Sequence, residues 1–155
     1  MCAECHSTNL QKNYNLENDS FNTTWSDIDV NCEACHGPGS EHLDWAKLPD
    51  GARDYDGNMG LVLKTSGTTS KQFIESCAPC HSRRTSFGPN YHAESEYYNN
   101  HRPQNISPPL YYSDGQILDE DYEFGSFTQS KMYMNDMKCS DCHDSHSLKF
   151  KFEGN

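Results

Sequence analysis

The chain has 155 residues, a formal net charge of -11, 34% hydrophobic residues and a mean hydropathy of -0.94. An acidic balance of this size excludes a general nucleic-acid or anionic-membrane binder, since both need a basic face, and no apolar run approaches the roughly 18 residues that a membrane-spanning helix requires. The apolar content is too small to fill an ordinary core, yet nine tyrosines and seven phenylalanines exclude a fully disordered chain, so a non-protein group is expected to fill the interior.

In chain order the first element is Cys2-Ala3-Glu4-Cys5-His6, and the same pattern returns three times. The others are Cys32-Glu33-Ala34-Cys35-His36, Cys77-Ala78-Pro79-Cys80-His81 and Cys139-Ser140-Asp141-Cys142-His143. All eight cysteines fall in these pairs. C-x-x-C-H is the attachment motif of c-type haem. Two thioether bonds hold the vinyl positions on one edge of the porphyrin, one helical turn separates the sulfurs, and the next residue sets an imidazole under the iron. Zinc ribbons also use C-x-x-C pairs, but about 15–20 residues apart; the intervals here are 26, 41 and 58 residues. A thioredoxin-like dithiol needs one motif in a βαβ setting, not four dispersed ones. The reading is therefore four covalent haem c groups, with Cys2, Cys5, Cys32, Cys35, Cys77, Cys80, Cys139 and Cys142 as anchors and His6, His36, His81 and His143 as proximal iron ligands. Eight propionates and four ferric cores would take the charge from -11 to about -15.

Between the first two motifs, Asn13 to Asp29 is polar and tyrosine-bearing and is expected to form a hairpin or an irregular cover. After the second motif, Ser40 is expected to cap a short helix that ends before Pro49. Asp50 to Gly60 reads as a loop and Leu61 to Thr65 as a short strand. Thr69 to Arg84 reads as a helix running into the third motif. Gly88 to Pro109, rich in Gly, Pro, Asn and Ser, reads as a loop, and Tyr111 to Gly125 as a second polar cover. Ser126 and Gln129 form a capping-box pattern that would open a helix with Phe127, Lys131 and Met134 on one face. Arg83, Arg84 and Arg102 are candidates for propionate pairing, with solvated surface as the alternative.

The four histidines outside the motifs, His42, His92, His101 and His146, match the number of second axial positions on four irons. His42 and His146 follow their nearest motif histidines too closely to reach the far face of the same haem, so each is assigned to a neighbouring one. His101 lies beside a proline, and His92 lies in a polar loop. If His92 is not a ligand, one iron keeps an open position. Methionine is the competing axial ligand, but Met59, Met132, Met134 and Met137 are read as packing groups, the last three near the fourth haem.

"MCAECHSTNLQKNY", "TTWSDIDVNCEACHGPGSEH", "CAPCHSRR", "YYSDGQILDEDYEFGSFTQSKMY" and "KCSDCHDSHSLK" together resemble a group of bacterial multihaem cytochromes related to the tetrahaem electron acceptor of hydroxylamine oxidoreductase. Many members of that group carry a further haem motif upstream and tetratricopeptide repeats downstream. The resemblance spans nearly the whole chain and carries over the four motif histidines, His42 and His146; His92 has no match in it. It implies that Met1 is internal to a longer protein and that a distal ligand can come from flanking sequence or another subunit.

The expected fold class is mostly irregular and α: short helices and long loops wrapped around a closely packed four-haem chain, with little or no β-sheet, in a single domain over residues 1–155. The leading function is an electron carrier relaying between redox proteins in the periplasm or outside the cell, where c-type haem is attached in bacteria. A homopolymeric filament with haem-to-haem contact between subunits is a variant. The alternative is a haem enzyme with one five-coordinate iron acting on hydroxylamine, nitrite or nitric oxide; a zinc-binding structural module is the non-redox alternative.

Overall fold

A computed structural model describes residues 2–88, 96–119 and 122–153. They form short helices, three two-stranded antiparallel or hairpin-like strand pairs and connecting loops. The fold is mostly irregular and α with little sheet, as composition and motif spacing lead one to expect. The chain divides into two compact units, Met1–Ser66 with Thr85–Arg102, and Gly67–Arg84 with Pro103–Asn155.

The first unit begins with α1 (Cys2–Cys5) and a hairpin of β1 (Tyr14–Asn15) and β2 (Ser20–Phe21), with Tyr14 opposite Phe21. Bridges from Thr8 to Asp27 and Gln11 to Thr24 extend the hairpin toward both motifs. The Asn15 side chain closes its tip by accepting the N–H groups of Glu17 (2.9 Å) and Asn18 (3.1 Å), an Asx-type turn. At its base buried Thr8 donates to the Asp29 carbonyl (2.7 Å) and accepts from the Asn31 N–H (3.2 Å), fixing the entry to the second motif. The cover expected over Asn13 to Asp29 is thus a hairpin. Next come α2 (Cys32–His36), α3 (Ser40–Lys47) and 3₁₀ turns at Asp50–Ala52 and Asn58–Gly60.

In the second unit α4 (Ser70–His81) runs into the third motif as expected. Its capping box pairs Thr69 with Gln72. α6 (Glu123–Thr128) packs on α4, with Phe73, Ile74, Ala78, Tyr111 and Phe124 buried. α7 (Lys131–Met134), α8 (Cys139–Cys142) and the antiparallel pair β5 (His143–Asp144) and β6 (Lys149–Phe150) complete it. The remaining strands, β3 (Arg84–Ser86) and β4 (His101–Pro103), pair with each other, and α5 (Tyr97–Asn100) precedes β4.

Several local expectations are corrected. Ser40 is the first residue of α3 rather than its cap; the cap is Gly39, which makes no side-chain hydrogen bond. Leu61 to Thr65 form no strand; Leu63 instead donates its N–H to the His36 carbonyl (3.2 Å). Gly88 to Pro109 is not loop throughout, since α5 and β4 lie within it. Ser126 opens no helix: it sits inside α6 and donates to the Gly115 carbonyl (2.8 Å). The next helix is capped by Ser130, whose hydroxyl accepts from the Tyr133 N–H. Phe127 therefore belongs to α6, while Lys131 and Met134 belong to α7, and the three share no helix face.

Among the described residues the buried hydrophobic side chains are Phe73, Ile74, Ala78, Tyr97, Tyr111 and Phe124. Against them stand twenty large hydrophobic side chains left exposed, including Leu16, Phe21, Trp25, Ile28, Leu43, Met134, Leu148 and Phe152. A self-sufficient small domain reverses that ratio. No described helix is long and apolar enough to cross a membrane.

One buried tie tests the second unit. The Ser70 N–H donates to Asp136 Oδ1 (2.6 Å) and the Ser70 hydroxyl donates to the Met137 carbonyl, with Ser70 1% exposed. Asp136→Ala leaves that N–H unpaired and is expected to cost about 1–3 kcal/mol in denaturant unfolding. Asp136→Asn retains an acceptor and tolerates the left-handed φ of 58° there, so it is expected to lose much less.

Candidate functional site

Each C-x-x-C-H motif is built on a single helical turn. In the first, the His6 N–H closes the turn on the Cys2 carbonyl (3.0 Å). In the second, Asn31 accepts the Glu33 N–H (2.9 Å) and Gly37, at φ 75°, ends the helix by donating to the Glu33 carbonyl. The third forms the last turn of α4, and the Ser82 hydroxyl donates to the Ala78 carbonyl (2.6 Å). The fourth is opened by Asp141, which accepts the Lys138 N–H (2.8 Å). Cysteines three apart on such a turn share one side, the geometry that two thioethers to one porphyrin edge require.

None of the eight cysteines is joined in a disulfide, and none is fully buried. Partial desolvation is the first cause that raises the Cys35 and Cys139 thiols above the ordinary value. A redox dithiol needs the opposite, a depressed thiol pKa. Among the described residues no three His, Cys, Asp or Glu side chains converge as a metal cage would require.

The motif histidines His6, His81 and His143 are exposed and His36 is half-buried. His81 places Nδ1 3.3 Å from Glu123 Oε2. The carboxylate can only accept, so Nδ1 carries the proton and Nε2, across the ring, keeps its lone pair. That hydrogen bond is the main reason the Glu123 carboxyl lies below its usual range, against the opposing effect of burial.

His42 is defined more tightly. Its Nδ1 lies 2.8 Å from the Met59 carbonyl oxygen, again an acceptor only, which fixes the proton on Nδ1 and leaves Nε2 as the donor atom for a metal. Trp45 stacks on the imidazole at 5.4 Å between centroids. The indole is itself held: Nε1 donates to the Asp54 carbonyl (2.7 Å), and Tyr55 and Arg53 pack on its ring. Met59 and Gly60 both have positive φ, 56° and 71°. A Cβ at Gly60 would lie 2.7 Å from the Glu41 carbonyl group and 2.8 Å from the His42 nitrogen, so only glycine lets the turn lie against α3.

His101 is 3% exposed, tilted against Tyr97 (5.2 Å), with Nδ1 3.2 Å from the Ser86 hydroxyl. A hydroxyl can donate or accept, so its tautomer stays open. His146 is exposed on the turn between β5 and β6, where Asp144 accepts the N–H groups of His146 (3.1 Å) and Ser147 (2.7 Å). These bonds, with Ser147 the larger contributor, hold the Asp144 carboxyl below its ordinary value. His92 lies outside the described residues.

Met132 and Met134 are exposed and Met137 is half-buried. Arg83 donates to the Tyr122 hydroxyl (3.3 Å) and lies over its ring, and Arg84 donates to the Pro79 carbonyl (2.6 Å). Both have structural partners beyond the surface role allowed for them, while Arg102 is exposed. Gly60, Trp45, Asp144 and Glu123 were not singled out from sequence, and Met59 was read there only as a packing group; the positioning groups lie up to 42 residues from the histidines they contact, and no local pattern marks them.

With this geometry in hand, residues 1–37 match the family model described as cytochrome c554 and c-prime. The matched stretch contains the first two motifs, His6 and His36 included. The match covers about a quarter of the chain, and over that stretch the chain is similar to a multihaem c-type cytochrome. No curated protein and no solved structure matches the chain.

Gly60→Ala tests the His42 platform. It is expected to cost about 1–3 kcal/mol in denaturant unfolding through backbone strain and the close approach to α3. Gly51→Ala, where a Cβ meets nothing within 4 Å, is expected to be near neutral.

Proposed function

We propose that the chain is a tetrahaem electron-transfer module over residues 1–155, relaying electrons between redox proteins in the periplasm or outside the cell. The observation that carries this reading is the repetition of one construction: four C-x-x-C pairs, each on a helical turn, each followed by histidine. The outward-facing apolar side chains support it, since covalently held porphyrins supply the surface for them to pack on.

Bound haem supplies the one-electron couple; the chain supplies anchorage, axial nitrogen and environment. Cys2, Cys5, Cys32, Cys35, Cys77, Cys80, Cys139 and Cys142 form the thioethers. His6, His36, His81 and His143 are the proximal ligands. His42, His101, His146 and His92 are assigned to the distal positions, His42 and His146 on haems other than those of their own motifs. The Nδ1–H of His42 is committed to the Met59 carbonyl, so Nε2 would be the nitrogen left to hold an iron. Two imidazoles per iron give low potentials and leave no site for a substrate. Distal ligands taken from neighbouring motifs draw haems close, and electron tunnelling falls steeply with distance, so the arrangement favours conduction. Assembly into a homopolymer, with haems meeting across subunits, extends the same path.

Electron paramagnetic resonance of the oxidised holoprotein tests the ligation. Low-spin ferric haem alone is expected; a high-spin component contradicts complete bis-histidine ligation and favours the enzyme alternative. His42→Met is expected to raise one midpoint potential while leaving haem attached at Cys32 and Cys35, checked by redox titration and peptide mass mapping. Asp144→Ala, by loosening the turn that presents His146, is expected to introduce a partial high-spin signal at one haem. Asp144→Asn, which keeps an acceptor oxygen, is expected to give a smaller one.

A further inference from the structure

The carboxylate of Glu123 touches a motif histidine although it comes from a different helix. His81 ends α4 and Glu123 begins α6, 42 residues later, with Nδ1 and Oε2 3.3 Å apart. Both side chains are more than half exposed, 56% and 58%, so burial does not hold the contact. The residues flanking Glu123 do. Tyr122 accepts at its carbonyl from the Tyr111 hydroxyl (3.0 Å) and at its own hydroxyl from Arg83 (3.3 Å), whose guanidinium also covers its ring. On the other side Phe124 is buried where α6 packs on α4. The backbone of Glu123 is thus pinned on both sides, and its carboxylate meets the end of α4 without a long-range ordering cost at the moment of contact.

We propose that Glu123 is a positioning and tuning residue for the third haem, holding His81 with Nδ1 protonated and making its Nε2 a stronger donor to iron. The inference rests on the haem-binding reading of Cys77, Cys80 and His81. A carboxylate that accepts from the far nitrogen of an axial imidazole raises ligand basicity. A more basic ligand favours the ferric state, so the third haem takes a lower potential than a neutral partner would give it. The effect is local. The charge of Glu123 is also felt at Cys139 and the charge of His143 at Glu123, but a charge acting through space reaches the third and fourth motifs together, whereas a hydrogen bond to His81 acts on the third alone.

The test uses the fully haem-loaded protein, with Glu123→Gln and Glu123→Asp compared with the parent by redox titration and by nuclear magnetic resonance of the ferric-state ring protons of His81. Gln retains an acceptor without the charge, and Asp retains the charge on a shorter arm. The expected result is a rise in one midpoint in Glu123→Gln, accompanied by displaced His81 resonances, with Glu123→Asp falling between Gln and the parent. Unchanged midpoints, or equal rises at the third and fourth haems, overturn the proposal while leaving four-haem binding intact. A parent protein whose peptide with Cys77 and Cys80 carries no haem overturns the haem reading of that motif and this inference with it.

Discussion

Two sulfurs on one side of one helical turn form the constraint around which the molecule is organised, and it is met four times by different local means. His6 closes the first turn by its backbone, Asn31 and Gly37 bracket the second, a capped helix of 12 residues delivers the third, and Asp141 opens the fourth. Isolated helices of four or five residues are unstable on their own. Their persistence here rests on such caps and on neighbours such as Thr8, which ties the hairpin to the second motif. The same turn thus recurs in four different local settings, consistent with the proposed haem attachment.

The histidines add a second level of control. A metal-binding imidazole needs its proton on the nitrogen away from the metal, and an obligate acceptor is the direct way to keep it there. His42 has a backbone carbonyl and His81 a carboxylate in that place. The two acceptors differ in charge, so under the proposed ligation equal ligand types would acquire unequal donor strength. A chain of otherwise similar redox centres can be graded in this way without changing a single ligand. Around His42 the setting is also constrained, because Gly60 permits a contact with α3 that no side chain would allow and Trp45 stacks on the ring.

The motifs and the α4 helix were legible in sequence, and the hairpin over Asn13 to Asp29 was one of two alternatives left open there; each is encoded locally, by spacing, by an N-cap with its glutamine, by Asn-bearing turns. The strand expected at Leu61 to Thr65 failed because a short apolar run also serves as a strap, here hydrogen-bonded to His36. The capping box read at Ser126 failed because the hydroxyl found a tertiary acceptor in Gly115 instead. Ser130, the true cap of α7, was masked by that nearer pattern. The partners of His42 and His81 were invisible for a different reason. A backbone carbonyl has no sequence signature, and Glu123 is one acidic residue among many in an acidic chain. A low apolar content was readable as a missing core, and the exposed hydrophobic side chains are its structural counterpart.

The claim on which the rest depends is that all four motifs carry covalent haem. Intact mass of the mature protein, exported from a cell competent in cytochrome c maturation, measures this directly. The account predicts the polypeptide mass plus four haem groups, stable under denaturation, with none lost on acid extraction. A mass showing fewer covalent haems, or a haem-free protein retaining zinc, would contradict it.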